Sequence, residues 1–135
     1  MHKNAPQGNR RRAPRQNPLA DCPLTAAFAA IGGKWKLTLL YWMAREASHF
    51  ASLRRRAAPI SHKVLVEQLR ELEADGLVER VPTGPAPAPV VYRLSGYGRS
   101  VMPVVESVRV WGEAHLRRSR QHDTAPLSCG VPLAG

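Results

Sequence analysis

The chain has 135 residues and a mass of 14.9 kDa, enough for one domain with a real core and too short for two ordinary ones. Its 44% hydrophobic and 22% charged residues match an ordinary globular composition, which excludes a wholly disordered chain and a disulfide-stapled miniprotein. Twenty Lys and Arg against ten Asp and Glu leave a net charge of +10, the balance of a protein that meets a polyanion such as nucleic acid or an anionic membrane surface.

Met1 to Pro18 carries Lys3, Arg10, Arg11, Arg12 and Arg15, no acidic residue and little apolar content. Such a segment cannot bury enough surface to order itself, so residues 1–18 are expected to form a basic disordered arm. No apolar h-region or cleavage site follows the early positive charges, and the longest nearly apolar stretch, Leu24 to Gly33, is far short of the roughly 20 residues of a bilayer span. A cytoplasmic protein with no membrane partner is expected. Cys22 and Cys129 lie far apart and match no zinc or CxxC spacing, so neither a metal nor another cofactor is expected.

A domain is expected over residues 19–118. Pro23 suits the first position of a helix running through Ala26, Phe28 and Ile31, and Gly32-Gly33 suits its stop. Trp35, Leu39 and Trp42, with Leu40 and Met43 alongside, form the apolar stripe of a second helix over about Lys34 to Glu46. Phe50 to Ala57 reads as a short third helix with Leu53 inward. Arg54, Arg55 and Arg56 point in three successive directions there and cannot all be buried.

Pro59 ends that segment, and Ser61 caps a fourth helix extending to about Asp75 and closed by Gly76. On its wheel Val64, Leu65, Leu69 and Leu72 share one face, while Lys63, Val66, Glu67 and Arg70 share the other. Leu77 to Val81 and Val90 to Leu94 read as strands of a hairpin joined by the proline-rich Pro82 to Pro89 segment. Ser95 caps a last helical stretch, which Pro103 should kink or delay. Val101, Val104, Val105, Val108, Trp111 and His115 line one of its sides. Residues 119–135, with Cys129 as a free thiol, show no periodicity and are expected to form a flexible tail.

Helix, helix, turn, helix, hairpin is the order of a winged helix-turn-helix, a mainly α fold with a small β-hairpin wing (α+β) whose recognition helix enters the DNA major groove. Side-chain chemistry assigns roles. Lys63 and Arg70 reach phosphates or guanine edges, Glu67 accepts from cytosine, and Val66 packs on a thymine methyl. Ser61 and His62 lie with Lys63 in the first turn, where free amides favour phosphate. Arg54, Arg55 and Arg56 are placed as backbone contacts, and Arg80 and Arg93 on the strands as phosphate contacts.

Cys22-Pro23-Leu24, Ile31 to Trp35, Phe50 with Leu53 to Arg55, Ile60-Ser61, Leu69 to Val78, Tyr92 to Ser95 and Trp111 to Glu113 together resemble the signature of HxlR-type transcriptional regulators of the MarR-like superfamily. The resemblance covers roughly Asp21 to Leu116. It implies a bacterial, nucleoid-associated winged-helix protein, a homodimer through its terminal helices, that binds a pseudo-palindromic operator on double-stranded DNA and represses or activates nearby genes, often in response to electrophiles or oxidants.

The residues themselves agree on a dimer, because the last helix is more apolar than a lone surface helix needs. Packing within one chain is the alternative. Cys22 matches a family cysteine that serves some members as a thiol sensor, the alternative being a small packing residue. The hairpin loop departs from the family in carrying no charge, with Pro89 and Val91 where an arginine and an acid are common, so the basic arm is the candidate for minor-groove contact. No catalytic motif is present: Gly32-Gly33-Lys34 lacks the spacing of a phosphate loop, and the histidines form no HExxH. A nucleic-acid coating protein without sequence preference is the rival reading. It separates from a regulator by its specificity ratio.

Overall fold

A computed structural model describes residues 21–124 of the chain. The basic arm, Cys129 and most of the expected tail lie outside the described residues. In chain order the elements are α1 (Pro23–Ile31), α2 (Lys36–Arg45), β1 (Ser48–His49), α3 (Phe50–Arg56), α4 (His62–Ala74), β2 (Val78–Pro82), β3 (Val90–Leu94), α5 (Gly96–Arg99) and α6 (Met102–Thr124). The antiparallel sheet has the order β1-β3-β2, with Ser48 opposite Tyr92 on one side of β3 and Arg80 opposite Tyr92 on the other.

Leucines from α2, α3 and α4 build the core: Leu39, Leu40, Leu53, Leu65, Leu69 and Leu72 are fully buried, joined by Leu77, Val78 and Leu94 from the sheet side. Local chemistry sets the ends of α4. The Val64 amide donates to Ser61 Oγ at 3.2 Å, as expected of a serine N-cap. At the other end Gly76 takes φ 74°, and the amides of Gly76 and Leu77 return to the carbonyls of Glu73 and Leu72 at 2.9 and 3.0 Å. That pairing is a Schellman motif, which needs a left-handed residue at the glycine position and buries the following apolar side chain.

The base of the wing is a clasp around Ser95. Its amide donates to the Leu77 carbonyl at 3.0 Å, its hydroxyl donates to the Gly76 carbonyl at 2.5 Å, and the Gly98 amide donates to that hydroxyl at 2.8 Å. One residue at the end of β3 thus holds the chain leaving α4, and α5 packs directly on that backbone. A β-carbon on Gly98 would lie 1.9 Å from the Leu77 carbonyl oxygen.

Three expectations are corrected. The sheet gains β1, a strand of two residues, too short to leave a period in the sequence. The last helix is two: Ser95 caps only the short α5, and α6 starts at Met102 with Pro103 in its first turn, where a missing amide costs no helical bond. That helix also continues to Thr124, beyond the expected domain end at residue 118, so the start of the segment read as tail is helical.

A Gly98→Ala chain should unfold at lower urea, losing about 3 kcal/mol, because the contact is with rigid backbone rather than a movable side chain. An unchanged midpoint would mean that α5 shifts freely and the clasp is unimportant.

Candidate nucleic-acid interface

Helices α3 and α4 meet through a tight turn in which the Ile60 amide donates to the Ala57 carbonyl at 2.9 Å and both side chains are buried. The turn presents α4 with Leu65, Leu69 and Leu72 inward, while Ser61, His62, Lys63, Glu67 and Arg70 are exposed. Val66, expected on the outer face, is half-buried because it turns toward the sheet. The Ser61 hydroxyl is already engaged as the cap.

A cleft of about 570 Å³ separates α4 from the sheet. Its helical wall is the stripe His62, Val66, Leu69, Arg70 and Glu73. Arg80, Val90 and Tyr92 form the other wall, and Phe50 closes the end near His62, its ring 4.9 Å from the imidazole. Phe50, Glu73 and Tyr92 carry part of the family resemblance but were not assigned to the binding face by sequence. Tyr92 was findable, since period-2 alternation puts it on the same face as Leu94 and opposite Arg80.

The arginines expected to act together are divided by their partners. Arg56 turns back onto α2, where it pairs with Glu46 at 2.6 Å and lies over the Trp42 ring at 5.0 Å. Arg93 pairs with Glu79 at 3.0 Å across the strands, on the sheet face opposite Arg80 and Tyr92. Arg55 donates to Ser52 Oγ at 3.3 Å. Arg54, Lys63, Arg70 and Arg80 are exposed and make no ion pair among the described residues. Behind the helix, the buried Lys36 ammonium pairs with Glu71 at 2.7 Å and ties α2 to α4.

Away from this face, α1 carries Leu24 and Phe28 at 81% and 74% exposure, and α6 carries Val104, Val108, Trp111 and Leu116 with large exposed areas. His115 stacks on Trp111 at 5.0 Å. Two residues expected on a shared outer face are not there: Val105 is buried in the core and Val101 is half-buried against it. The free side of α6 is therefore rotated from the valine stripe, and α1 adds apolar surface that the sequence reading left out. Its signal was a helix apolar almost all round, which a single-chain core does not require.

Cys22 is half-buried at the start of α1. The amide and hydroxyl of Thr25 and the amide of Leu24 hold its thiol pKa below the ordinary value, and partial burial opposes them only weakly. No cluster of metal-ligating side chains occurs among the described residues, and no described helix is long and apolar enough to cross a membrane.

The profile of the HxlR-like helix-turn-helix family matches residues 30–120. The chain is similar to the HTH-type transcriptional regulators YybR and YtcD of Bacillus subtilis strain 168. YybR is 40% identical over 94 residues, covering 70% of this chain and 75% of that protein, and YtcD is 39% identical over 93 residues, covering 69% and 74%. Among solved structures it resembles the redox regulator HypR. The oxidised form has a TM-score of 0.66 at 41% identity, covering 69% of this chain and 96% of HypR; the reduced form has 0.69 at 37%, covering 73% and 98%. The winged-helix architecture, the capped and outward-facing α4 and these relatives agree, and the chain belongs to the HxlR-like helix-turn-helix family of DNA-binding transcriptional regulators, not to a family of enzymes.

Proposed function

We propose that the chain represses transcription as a homodimer bound to a pseudo-palindromic operator. The observation that carries this reading is the sorting of charge: Arg54, Lys63, Arg70 and Arg80 stay unpaired around α4 while Arg56 and Arg93 are neutralised by carboxylates on other faces. Unpaired cations beside a capped helix are what phosphate contact requires, and they release counterions when they meet DNA. Within this reading Lys63, Val66, Glu67 and Arg70 face base edges and His62 the adjoining phosphate. Arg54 and Arg80 grip the backbone on either side. Arg55 assists Arg54, while Arg56 and Arg93 contribute less than sequence alone assigns them. The basic arm over residues 1–18 supplies the minor-groove contact that the uncharged wing tip lacks.

The dimer is supported by the apolar faces of α1 and α6, whose Leu24, Phe28 and Trp111 are among the most exposed large apolar residues. Patches of this kind mark association surfaces. Selection of bound sequences from random DNA at near-physiological salt should recover an inverted repeat with half-sites about one helical turn apart, favoured by about 10³ or more over random DNA. Tight binding with no enriched motif would replace the regulator by a coating protein.

Sedimentation separates the dimer from the DNA contact. A Phe28→Glu, Trp111→Glu chain should run as a folded monomer and lose about 10² or more in operator affinity through lost bivalency. A dimeric double variant would remove these helices from the interface.

A thiol response is a second element of the reading, supported by the lowered Cys22 pKa and the similarity to a redox regulator. Thiolate is the reactive form, so its alkylation rate should rise through a midpoint below the ordinary cysteine value of about 8.5. Cys22→Ser should abolish release of operator by oxidant. Equal release from the variant would assign sensing elsewhere.

A further inference from the structure

The cleft between α4 and the sheet combines groups that a duplex backbone alone does not use. Its volume of about 570 Å³ falls in the small-molecule range. It runs along α4 from His62 in the first turn to Glu73 in the last, about 16 Å at 1.5 Å per residue. The two ends differ in sign. At the His62 end the free first-turn amides and the helix dipole add positive potential, whereas the Glu73 end carries a carboxylate and the negative end of the dipole. Arg70 and Arg80 face the cleft from opposite walls, and neither pairs with Glu73 or any other carboxylate among the described residues. Half-buried Tyr92 supplies an aromatic surface on the sheet wall.

An occupant must therefore offer an anion at one end, a flat ring, and hydrogen-bond donors at the other. A simple anion leaves Tyr92 and Glu73 unused, and an aromatic diacid meets repulsion at Glu73. We propose that the cleft binds a nucleoside 5′-monophosphate. The phosphate lies against His62 and the Arg70 guanidinium, the base lies on the Tyr92 ring with Arg80 beside it, and Glu73 accepts from the ribose hydroxyls. The inference rests on the DNA-binding reading for its consequence: His62 and Arg70 serve both ligands, so nucleotide and operator exclude each other and the nucleotide acts as an effector.

Calorimetry on the full chain without DNA, using AMP, inorganic phosphate and adenosine as separate ligands, tests this. AMP should bind about tenfold or more tighter than either fragment. Glu73→Gln and Tyr92→Leu should each weaken AMP by about fivefold while phosphate binding stays unchanged, since neither residue meets the phosphate. If Tyr92→Leu unfolds, the near-isosteric Glu73→Gln change, at a half-buried position lining the cleft, carries the test alone. AMP binding no tighter than phosphate, or no weaker in a folded Glu73→Gln chain, overturns the proposal. Duplex binding that survives a failure to bind AMP leaves the DNA reading standing, whereas a folded chain that binds neither overturns both.

Discussion

The wing clasp is the constraint on which the binding face depends. A two-stranded hairpin has little stability alone and no fixed direction relative to a neighbouring helix. Here the chain leaving α4 and the chain leaving β3 are joined through Ser95, which bonds the carbonyls of Gly76 and Leu77 and accepts the Gly98 amide. The left-handed Gly76 starts the wing at a set angle, and Gly98 lets α5 approach where any side chain would strike the Leu77 carbonyl. With β1 pairing to the other side of β3, the wing stands as part of a sheet and the cleft beside α4 keeps its width.

Electrostatics then divides the molecule by pairing rather than by composition. The cations that brace the scaffold have carboxylates: Lys36 with Glu71, Arg56 with Glu46, Arg109 with Glu106 and Glu113. Of these, the exposed pairs of Arg56 and Arg109 add little stability. Their larger effect is to cancel charge away from α4, so that the unpaired arginines and lysine near that helix dominate the local field. Glu71 illustrates the division, since it points from α4 back to a buried lysine and leaves the front of the helix positive except at Glu67 and Glu73.

Most of the fold was legible because its signals are local. Pro23, Gly32 and Gly33 bracket α1, Ser61 and Gly76 bracket α4, and the leucine stripe of α4 points inward as its wheel requires. What escaped depends on contacts distant in sequence. β1 exists only because Ser48 and His49 meet β3, and the close approach of α5 to the Leu77 backbone is set by a contact between Gly98 and a residue 21 positions earlier. The site divides in the same way. Exposure of Lys63, Glu67 and Arg70 follows from helical period, but which arginines are free does not, because Glu46 lies on another element and Glu79 on another strand. Likewise Val105 faces α2 by tertiary packing, although the wheel grouped it with outward neighbours.

The proposed dimer follows from an imbalance in α1. Of its nine residues only Ile31 is buried, yet the helix is made almost entirely of apolar side chains. An isolated helix of that length is marginal in water, so its order requires a covering surface. The free face of α6, with Val104, Val108, Trp111 and Leu116, has matching apolar character on the same chain, and a second copy presents both faces at once. Cys22 begins α1. A thiol at that position is joined directly to the helix that the interface would have to hold, so a change in its oxidation state alters the end of α1 before it can reach α4. Under the proposed thiol response and dimer, oxidation of Cys22 would act on the spacing of two recognition helices rather than on the shape of either one.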